Sequence, residues 1–375
     1  MQPKILVTGG CGFIGSFVVD HCVHSGYDVT VLDNLTPQVH PTGIPDYFNP
    51  QANLIQEDIR DPDAVRHALE GVDTVIHCAG AVGVGQSMYQ VHHYVDVNVT
   101  GTSVLLQAVI DRKEKLKKYI VYTSMTGYGE GLYRRPSDGT LLRPGIRTEE
   151  GVQRSGWEPV CPKTGEILEP TPIDENAELQ AKNIYALSKR YQEQLSLEIG
   201  EAYDFPVTCL RLFNVYGPRQ SLNNPYTGVL AIFMGALMSG TIPRIYEDGL
   251  QTRDFVSVHD VVQATMAALE HPKSDGRIIN IGTGVPRTIE EIALTMARLV
   301  GKSEVQPEIT GQFRQGDIRH CTASISRARD LLAFEPTVDW ETSLQEIIEW
   351  SRSQELVQQD LDRAHDELKE RGLVH

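Results

Sequence analysis

The strongest constraint on this chain is a glycine-rich turn near its start, residues 8–15 (TGGCGFIG). The turn follows an apolar run from Lys4 to Val7 and leads into a helical pattern, so it is predicted to join a strand to a helix. Glycines in such a turn let backbone N–H groups approach a pyrophosphate at the helix N-terminus, because a Cβ would block the turn or the approach. A glycine turn without a ligand is the alternative that this motif alone leaves open. The predicted cofactor contacts here are Gly9, Gly12, Phe13, Ile14 and Gly15.

A carboxylate at the end of the second predicted strand indicates which dinucleotide binds. The strand runs from Val29 to Asp33, and Asp33 lies 18 residues after Gly15. A carboxylate there accepts hydrogen bonds from the adenosine ribose hydroxyls and repels a 2′-phosphate. We therefore expect NAD rather than NADP, with Asp33 and Asn34 among its contacts.

Charge and composition narrow the possible partners. The formal net charge is −16, and the lack of a long basic run argues against nucleic acid. No apolar stretch approaches the length of a membrane span, and the start leaves no room for a signal peptide before the first strand. Six cysteines without paired spacing fit reduced thiols. We expect a cytoplasmic protein that binds neither nucleic acid nor membrane.

Short apolar strands alternate with helical periodicity through the first half of the chain. Predicted strands cover residues 53–59, 74–80 and 118–124, and a predicted helix covers 97–110. This alternation predicts an α/β fold with a doubly wound parallel sheet, the Rossmann fold, whose ligands bind at the carboxyl ends of the strands. Residues expected at those ends are Gly9, Asp33, Asp58, Gly80 and Ser124.

The order of the predicted strands and helices also predicts the domain boundaries. We expect residues 1–213 to form the NAD-binding domain, with 254–281 returning to it. Residues 214–253 and 282–352 are expected to form a smaller α/β substrate-binding domain, followed by a helical tail over 353–375. Residues 130–176 lack periodicity and are rich in Gly, Pro, Arg and Glu, which is typical of a functional or disordered excursion. We call residues 130–176 the insertion.

A predicted helix over residues 183–201 carries Tyr185 and Lys189 at positions i and i+4, on one helix face. A nearby cation favours the phenolate, so Lys189 is expected to lower the pKa of Tyr185 and let it act as a base near neutral pH. Taken alone, such a pair is more often an ordinary surface pair than a catalytic one. The upstream glycine turn and Ser124 favour a catalytic interpretation.

These residues, together with a series of ordered motifs, make the chain resemble the extended short-chain dehydrogenase/reductase family, in its nucleotide-sugar branch. The resemblance covers nearly all of the chain outside the insertion. The motifs are residues 58–61 (DIRD), 77–80 (HCAG), 98–102 (NVTGT), 123–129 (TSMTGYG), 211–220 (RLFNVYGPRQ) and 253–260 (RDFVSVHD).

The resemblance implies a role for each matching residue. Ser124, Tyr185 and Lys189 would be catalytic, and the last two would also touch the cofactor. Further cofactor contacts would be Asp58, Ile59, Ala79, Gly80, Ala81 and Asn98. The substrate would meet Ser87, Ser124, Thr126, Asn214, Val229, Arg253, Arg314 and Asp317. The family also pairs helices such as 97–110 and 183–201 between subunits, which implies a homodimer.

Several residues have a structural interpretation beside the functional one. Asn98 could pin a helix instead of touching the cofactor, and both interpretations stay open. His77 is expected to be a hydrogen-bonded core histidine. Asp260 is expected to cap the helix that follows it.

The residues after Ser124 bear on the reaction. Family members that are dehydratases carry an Asp-Glu pair there, whereas this chain has Met125 and Thr126. Neither side chain exchanges protons near pH 7, so the resemblance implies epimerisation at C4 through a 4-keto sugar. Reduction of a 4-keto sugar, epimerisation of a UDP-hexose or uronate, decarboxylation, and a non-catalytic NAD sensor are the alternatives.

The insertion resembles one found in epimerases that act on dTDP-L-rhamnose, which would make dTDP-6-deoxy-L-talose the product. Residues 161–165 (CPKTG) look like half of a zinc knuckle whose second cysteine is replaced. One cysteine cannot form a tetrahedral zinc site, so no metal is expected. Because the insertion lies between Ser124 and Tyr185, it could cover the sugar pocket. Packing at the surface or at a subunit contact is the alternative.

Overall fold

The fold is built from many short strands and a smaller number of longer helices. A computed structural model describes residues 2–145, 147–222, 228–313 and 317–354. The strands are β1 (Lys4–Thr8), β2 (Asp28–Leu32), β3 (Asn53–Ile55), β4 (Thr74–His77), β5 (Lys118–Ser124), β6 (Leu132–Arg134), β7 (Leu141–Leu142), β8 (Glu169–Thr171), β9 (Val207–Leu212), β10 (Asn214–Tyr216), β11 (Arg244–Ile245), β12 (Thr252–Ser257), β13 (Arg277–Ile281), β14 (Pro286–Thr288), β15 (Glu308–Ile309) and β16 (His320–Cys321).

The α-helices alternate with these strands in the first half of the chain. They are α1 (Phe13–His24), α2 (Pro62–Ala68), α3 (Val84–Ser87), α4 (Val91–Val95), α5 (Gly101–Ile110), α6 (Glu149–Ser155), α7 (Ile184–Tyr203), α8 (Val229–Ser239), α9 (Val258–Glu270), α10 (Ile289–Val300), α11 (Ser326–Leu332) and α12 (Trp340–Ser351). None of the helices in the described ranges combines the length and apolar composition that a membrane span requires.

Seven strands form one parallel sheet within the described residues, in the order β13-β9-β5-β4-β1-β2-β3. Its central strands are apolar on both faces; Leu6 and Val7 of β1, for example, are fully buried. Helices α1, α9 and α11 cover one face, and α2, α5 and α7 cover the other. Burial on both faces explains why these strands are continuous apolar runs. The predicted doubly wound parallel sheet is confirmed.

A smaller α/β unit packs beside this sheet. Strand β12 pairs with β10 and β16 in parallel and with β14 in antiparallel. Helices α8, α10 and α12 bury a separate apolar cluster that includes Phe233, Met234, Ile292, Met296 and Leu344. The second unit therefore has its own core, as the predicted fold class requires.

The insertion has a small fold of its own. Strands β7, β6 and β8 form an antiparallel sheet in that order, and α6 follows β7. Ile173 pairs with Ala323 through an isolated parallel bridge. The insertion is thus attached to the segment that contains β16.

Several predicted elements differ from the structure in extent. The strand predicted over 53–59 ends at Ile55, because the polar residues that follow form a turn in which the N–H of Asp61 donates to the carbonyl of Asp58. The helix predicted over 97–110 is α5 preceded by a π-helical turn, Asp96–Thr100. Phe213 separates β9 from β10.

The prediction that Asp260 caps a helix is wrong. Ser257 is the N-cap of α9, and its side chain accepts a hydrogen bond from the N–H of His259. Asp260 lies inside the first turn, where its buried carboxylate accepts from the N–H of Thr337 at 2.9 Å. It therefore fastens a distant loop instead of a helix end.

Candidate active site

A cleft of about 1450 Å³ opens at the carboxyl ends of the parallel strands and extends between the two units. Its position is the one expected for ligands of an open α/β sheet. The predicted site residues that line it are Gly9, Gly12, Phe13, Ile14, Gly15, Asp33, Asn34, Asp58, Ile59, Ala79, Gly80, Ala81, Ser124, Thr126, Tyr185, Lys189, Asn214, Val229, Arg253 and Asp317. The structure thus brings together residues from opposite ends of the sequence.

The glycine turn is shaped so that side chains are excluded from it. Gly9 has a φ of +69°, and a Cβ there would lie 2.8 Å from the backbone of Ala79. A methyl group on Gly15 would overlap the carbonyl oxygen of Gly9. Helix α1 begins at Phe13 without a side-chain cap, so its N-terminal N–H groups face the cleft without a competing side-chain acceptor. This cradle fits a pyrophosphate.

The part of the cleft beside the glycine turn, which we call the cofactor end, also contains two carboxylates, Asp33 and Asp58. Asp33 accepts hydrogen bonds from the N–H of Cys11 at 2.9 Å and of Leu35 at 3.0 Å, which fixes its side chain beside the turn. Asp58 accepts from Arg60 Nε at 2.8 Å and from Asn34 Nδ2 at 2.9 Å. The hydrogen bond from Arg60 is the main cause that holds the pKa of Asp58 well below its usual range. Hydrogen bonds therefore hold both side chains in place.

Ser124, Tyr185 and Lys189 meet where β5 ends and α7 begins. Asn183 is the N-cap of α7 and accepts from the N–H of Ala186 at 2.8 Å, which sets the direction in which Tyr185 enters the cleft. Ser124 Oγ accepts from Thr126 Oγ1 at 2.9 Å. The ammonium of Lys189 donates to the carbonyl of Tyr122 at 3.1 Å.

The expected lowering of the Tyr185 pKa by Lys189 is wrong. Burial raises the pKa of Tyr185, and the interaction with the Ser124 hydroxyl only partly offsets that rise. Burial also lowers the pKa of Lys189 to about 8. Both shifts have the same cause, because a charge in a dry site is costly whichever group carries it.

Two of the predicted residues do not line the cleft. The side chain of Asn98 lies in the π-helical turn, where it accepts from the N–H of Ala81 at 2.7 Å and donates to Ser188 Oγ at 2.8 Å. It pins the loop after β4 to α7. Ser87 is fully buried and donates to the carbonyl of Val84 at 2.7 Å. Direct ligand contacts of these two residues remain predictions.

His77 lies in the core, as its structural interpretation predicts. Its ring contacts Thr8 Oγ1 at 2.7 Å, Thr102 Oγ1 at 2.9 Å and Gln192 Nε2 at 3.1 Å. Burial, helped by the charge of Lys189, lowers the pKa of His77 to about 3. The ring is therefore neutral at physiological pH and serves as a hydrogen-bond hub.

The part of the cleft in the smaller unit, which we call the nucleotide end after the role that the resemblance implies, is lined by polar groups that include Asn214, Arg253 and Asp317. Arg253 donates to Asp317 Oδ1 at 3.1 Å and to the carbonyls of Ile318 at 2.5 Å and Arg319 at 3.1 Å. The buried Oδ1 of Asn214 has no hydrogen-bond partner. A buried acceptor that is unpaired on a cleft wall suits a ligand that donates to it. Arg314 lies outside the described residues.

Some cleft residues carry no motif that sequence reasoning could use. The Tyr94 ring packs edge-on against Tyr185 with centroids 6.4 Å apart, and its hydroxyl donates to Gln86 Oε1 at 3.0 Å. The Oε1 of Gln251 is buried without a partner. Gln86, Tyr94 and Gln251 all line the cleft, and only the tertiary fold brings them there.

None of the described residues of the insertion lines the cleft. Cys161 is buried in its own turn, where the hydroxyl of Thr164 and the N–H groups of Lys163 and Thr164 lower the pKa of the thiol to about 7. Arg135 Nη1 lies 3.8 Å from the sulfur. The half-knuckle therefore surrounds the sulfur with protein donors.

Comparisons with known proteins agree with this geometry. Residues 5–150 and 160–282 match the NAD dependent epimerase/dehydratase family. The dTDP-L-rhamnose 4-epimerase of Burkholderia thailandensis is 32% identical over 96% of each chain. The UDP-glucose 4-epimerase of Thermotoga maritima with UDP-glucose is 28% identical, with a TM-score of 0.76 over 93% of this chain and 98% of that one. The UDP-glucuronic acid 4-epimerase of Bacillus cereus, in complex with UDP-glucuronic acid and NAD, is also 28% identical, with a TM-score of 0.73 over 93% and 99%.

A dinucleotide cradle joined to a serine, tyrosine and lysine site defines an NAD-dependent enzyme of the short-chain dehydrogenase/reductase type. The chain belongs to the NAD dependent epimerase/dehydratase family. NAD as the cofactor is thereby confirmed, as is the family resemblance drawn from the motifs.

Proposed function

We propose that this protein epimerises C4 of a nucleotide-activated sugar through a 4-keto intermediate, converting dTDP-L-rhamnose to dTDP-6-deoxy-L-talose. The observation that carries the reaction type is the placement of Ser124, Tyr185 and Lys189 on one wall of the cleft, next to the glycine cradle. We assign these three residues as catalytic. The 32% identity to a dTDP-L-rhamnose 4-epimerase and the resemblance of the insertion support the choice of sugar.

The residues divide the chemistry between them. Tyr185 takes the proton from the sugar O4 and later returns it, and the Ser124 hydroxyl donates a hydrogen bond to the same oxygen. When bound, NAD supplies the reversible oxidation of C4. Lys189 lies buried one helical turn from Tyr185 and would hold the ribose side of the cofactor.

The same geometry disfavours dehydration. Elimination of water needs an acid and a base beyond Tyr185. Met125 follows Ser124 and is buried, and Thr126 uses its hydroxyl to donate to Ser124 at 2.9 Å. Neither group titrates near neutral pH. Without a proton carrier at these two positions, rotation of the 4-keto sugar and its reduction on the other face are favoured over loss of water.

A UDP-hexose or UDP-uronate is the second candidate substrate. The observation in its favour is the similarity to solved 4-epimerases that hold UDP-glucose or UDP-glucuronic acid. The deciding experiment incubates the purified protein with dTDP-L-rhamnose, UDP-glucose, UDP-glucuronic acid and GDP-mannose, and resolves the products by NMR. Interconversion of UDP sugars alone would overturn the rhamnose assignment.

The mechanism is tested with Tyr185→Phe. Removing the phenolic oxygen should lower kcat by roughly 10²–10⁴-fold, as expected for a lost general base, while bound NAD stays at the wild-type level. Tyr203→Phe is the matched control, because Tyr203 is the last residue of the same helix and is 49% exposed. Full activity of Tyr185→Phe would contradict the mechanism.

We also propose that the protein is a homodimer paired through the predicted helices of residues 97–110 and 183–201, together with α4, which leads into the first of them. Large apolar side chains on these helices are exposed to solvent, namely Val91, Val95, Leu187 and Tyr191. A second copy that packs on this surface would remove them from water. Light scattering on the eluting protein tests the proposal, and a mass near 41.7 kDa would contradict it.

A further inference from the structure

The insertion and the smaller unit are joined by buried charges. The Arg319 side chain is fully buried and donates to Glu247 Oε2 at 2.9 Å, to Asp248 Oδ1 at 2.6 Å and to Glu158 Oε1 at 2.9 Å. Glu158 belongs to the insertion, whereas the other two carboxylates belong to the loop after β11. A buried cation is tolerated only when such partners surround it.

The insertion also accepts hydrogen bonds from the backbone of residues 319 and 320. Both oxygens of the Glu130 carboxylate accept from the N–H of Arg319 at 3.1 Å, and one accepts from the N–H of His320 at 3.3 Å. Glu158 Oε2 lies 3.0 Å from His320 Nε2. Two carboxylates of the insertion thus hold residues 319 and 320 through main-chain and side-chain donors.

This clamped segment is what orients Arg253. The guanidinium donates to the carbonyl oxygens of Ile318 and Arg319, to the carboxylate of Asp317, and to the carbonyl of the adjacent Thr252. Three of these four acceptors lie on residues 317–319, so the position of that segment determines where Arg253 points. A planar guanidinium recognises phosphate only in a suitable orientation.

We propose that Glu158 is a positioning residue for Arg253: the insertion, acting through Glu158 on Arg319 and His320, sets the orientation in which Arg253 meets the diphosphate of the substrate. The inference rests on the proposed function in one respect, namely that Arg253 contacts the diphosphate. It gives the insertion a role in substrate affinity although it contributes no described side chain to the cleft.

Glu158→Gln tests the coupling, because it removes the charge and keeps the shape. The buried guanidinium of Arg319 keeps the carboxylates of Glu247 and Asp248 in this variant, and the Glu158 side chain is 35% exposed. The probes are dTDP and UDP, titrated by calorimetry into the protein with its NAD. We expect affinity for the probe that binds wild type to fall about tenfold, within the range of couplings transmitted through contiguous networks, with the bound NAD unchanged.

The control stays within the insertion. Glu169→Gln removes the same kind of charge from an exposed pair with Arg134, which contacts neither Arg319 nor Arg253. It should bind the probe as wild type does. If Glu169→Gln weakens binding as much as Glu158→Gln, the effect comes from the insertion as a whole and the inference is wrong.

A double-mutant cycle separates positioning from loss of fold. Arg253→Ala should weaken binding, and adding Glu158→Gln to it should have no further effect, because Glu158 acts through Arg253. Additive losses would overturn the inference. Should Glu158→Gln fail to fold, Glu158→Asp, which keeps the charge but shortens its reach, replaces it in the same cycle with the same criteria.

The cycle also distinguishes the two proposals. If Arg253→Ala binds both nucleoside diphosphates as wild type does, the assignment of Arg253 in the proposed function is wrong. If Arg253→Ala binds weakly and Glu158→Gln binds normally, that assignment stands and only the coupling fails.

Discussion

The cofactor end and the nucleotide end of the cleft are held together by different interactions. At the cofactor end, the glycine turn is held by neighbouring backbone: the N–H of Gly9 donates to the carbonyl of Leu32 at 2.8 Å. At the nucleotide end, side-chain charges from distant segments converge, such as Arg147 on Glu247 at 2.7 Å and Arg319 on Glu158. The cofactor end depends on a turn that has no room for side chains, whereas the nucleotide end depends on buried charges that remain paired.

This difference determines which substitutions disrupt each end of the cleft. A turn made of close backbone contacts has no room for added atoms, so even a methyl group is costly there. A buried ion network tolerates changes of shape better than the loss of a partner, because an unpaired buried charge costs more than the pair contributes. The three predictions below test this contrast.

The largest effect is expected for Gly15→Ala at the cofactor end. The added methyl group would overlap the carbonyl oxygen of Gly9, so the turn must open and the N–H groups of α1 move away from the cofactor. We expect bound NAD to fall below about a tenth of the wild-type level, as overpacking of a tight site by about 1–3 kcal/mol allows. NAD released on denaturation is the measurement.

A glycine outside the turn provides the comparison. Gly151 lies in the exposed helix α6, where a new Cβ would meet only the side chain of Thr148. Gly151→Ala should retain NAD fully. Normal NAD content in Gly15→Ala would show that NAD binding does not depend on the absence of a side chain at residue 15.

At the nucleotide end, Arg319→Met should lower the free energy of unfolding by about 3–5 kcal/mol, because it leaves the buried Glu247 without one of its cations. Urea unfolding followed by fluorescence measures the change. Arg244→Met is the matched control: Arg244 pairs with Glu308 where both side chains are exposed, and its loss should cost less than about 1 kcal/mol. If the two variants lose equal amounts of unfolding free energy, the buried ion pair stabilises the protein no more than an exposed pair does, and the contrast is wrong.

The smallest effect is a dependence of stability on pH. Burial alone would raise the pKa of Glu158, but hydrogen bonds from His320 and Arg319 outweigh it and lower the pKa from its ordinary 4.5 to about 2. A carboxylate with a lowered folded pKa stabilises the protein above its unfolded pKa, and that stability is lost as the pH falls towards the folded value.

Glu158→Gln should therefore be less stable than wild type at pH 7, and the difference should shrink as the pH falls from about 5 to about 2.5. Urea midpoints of the two proteins, measured side by side across this range, provide the test. A difference that stays constant would show that the charge of Glu158 contributes nothing to stability.

The parts of the site that sequence could predict are those determined by spacing along the chain. The glycine turn, Asp33 and the Tyr185–Lys189 pair depend on neighbours within a strand, a turn or a helix, and all of them line the cleft. The direction of the Tyr185 pKa shift could not be predicted in this way, because burial depends on the whole fold.

The nucleotide end could not be predicted from spacing. Glu130 meets the backbone of Arg319 across 189 residues, and Glu158 meets its side chain across 161. A glutamate that will be buried looks like a solvated one in sequence. The error at Asp260 has a similar origin: Ser257 and Asp260 are both good capping residues, and only the position of Thr337 shows which task the carboxylate performs.

The order of strands in the main sheet has a consequence for how the protein is made. Strand β9 lies between β5 and β13, and β13 is translated only after β10 and β12 of the smaller unit. Until residue 281 leaves the ribosome, β9, which is buried along its whole length in the folded protein, is an edge strand with one side unpaired. Exposed edges of this kind recruit other chains. A fragment that stops at residue 213 would therefore be expected to aggregate, even though it contains every residue of the cofactor turn and the tyrosine–lysine pair.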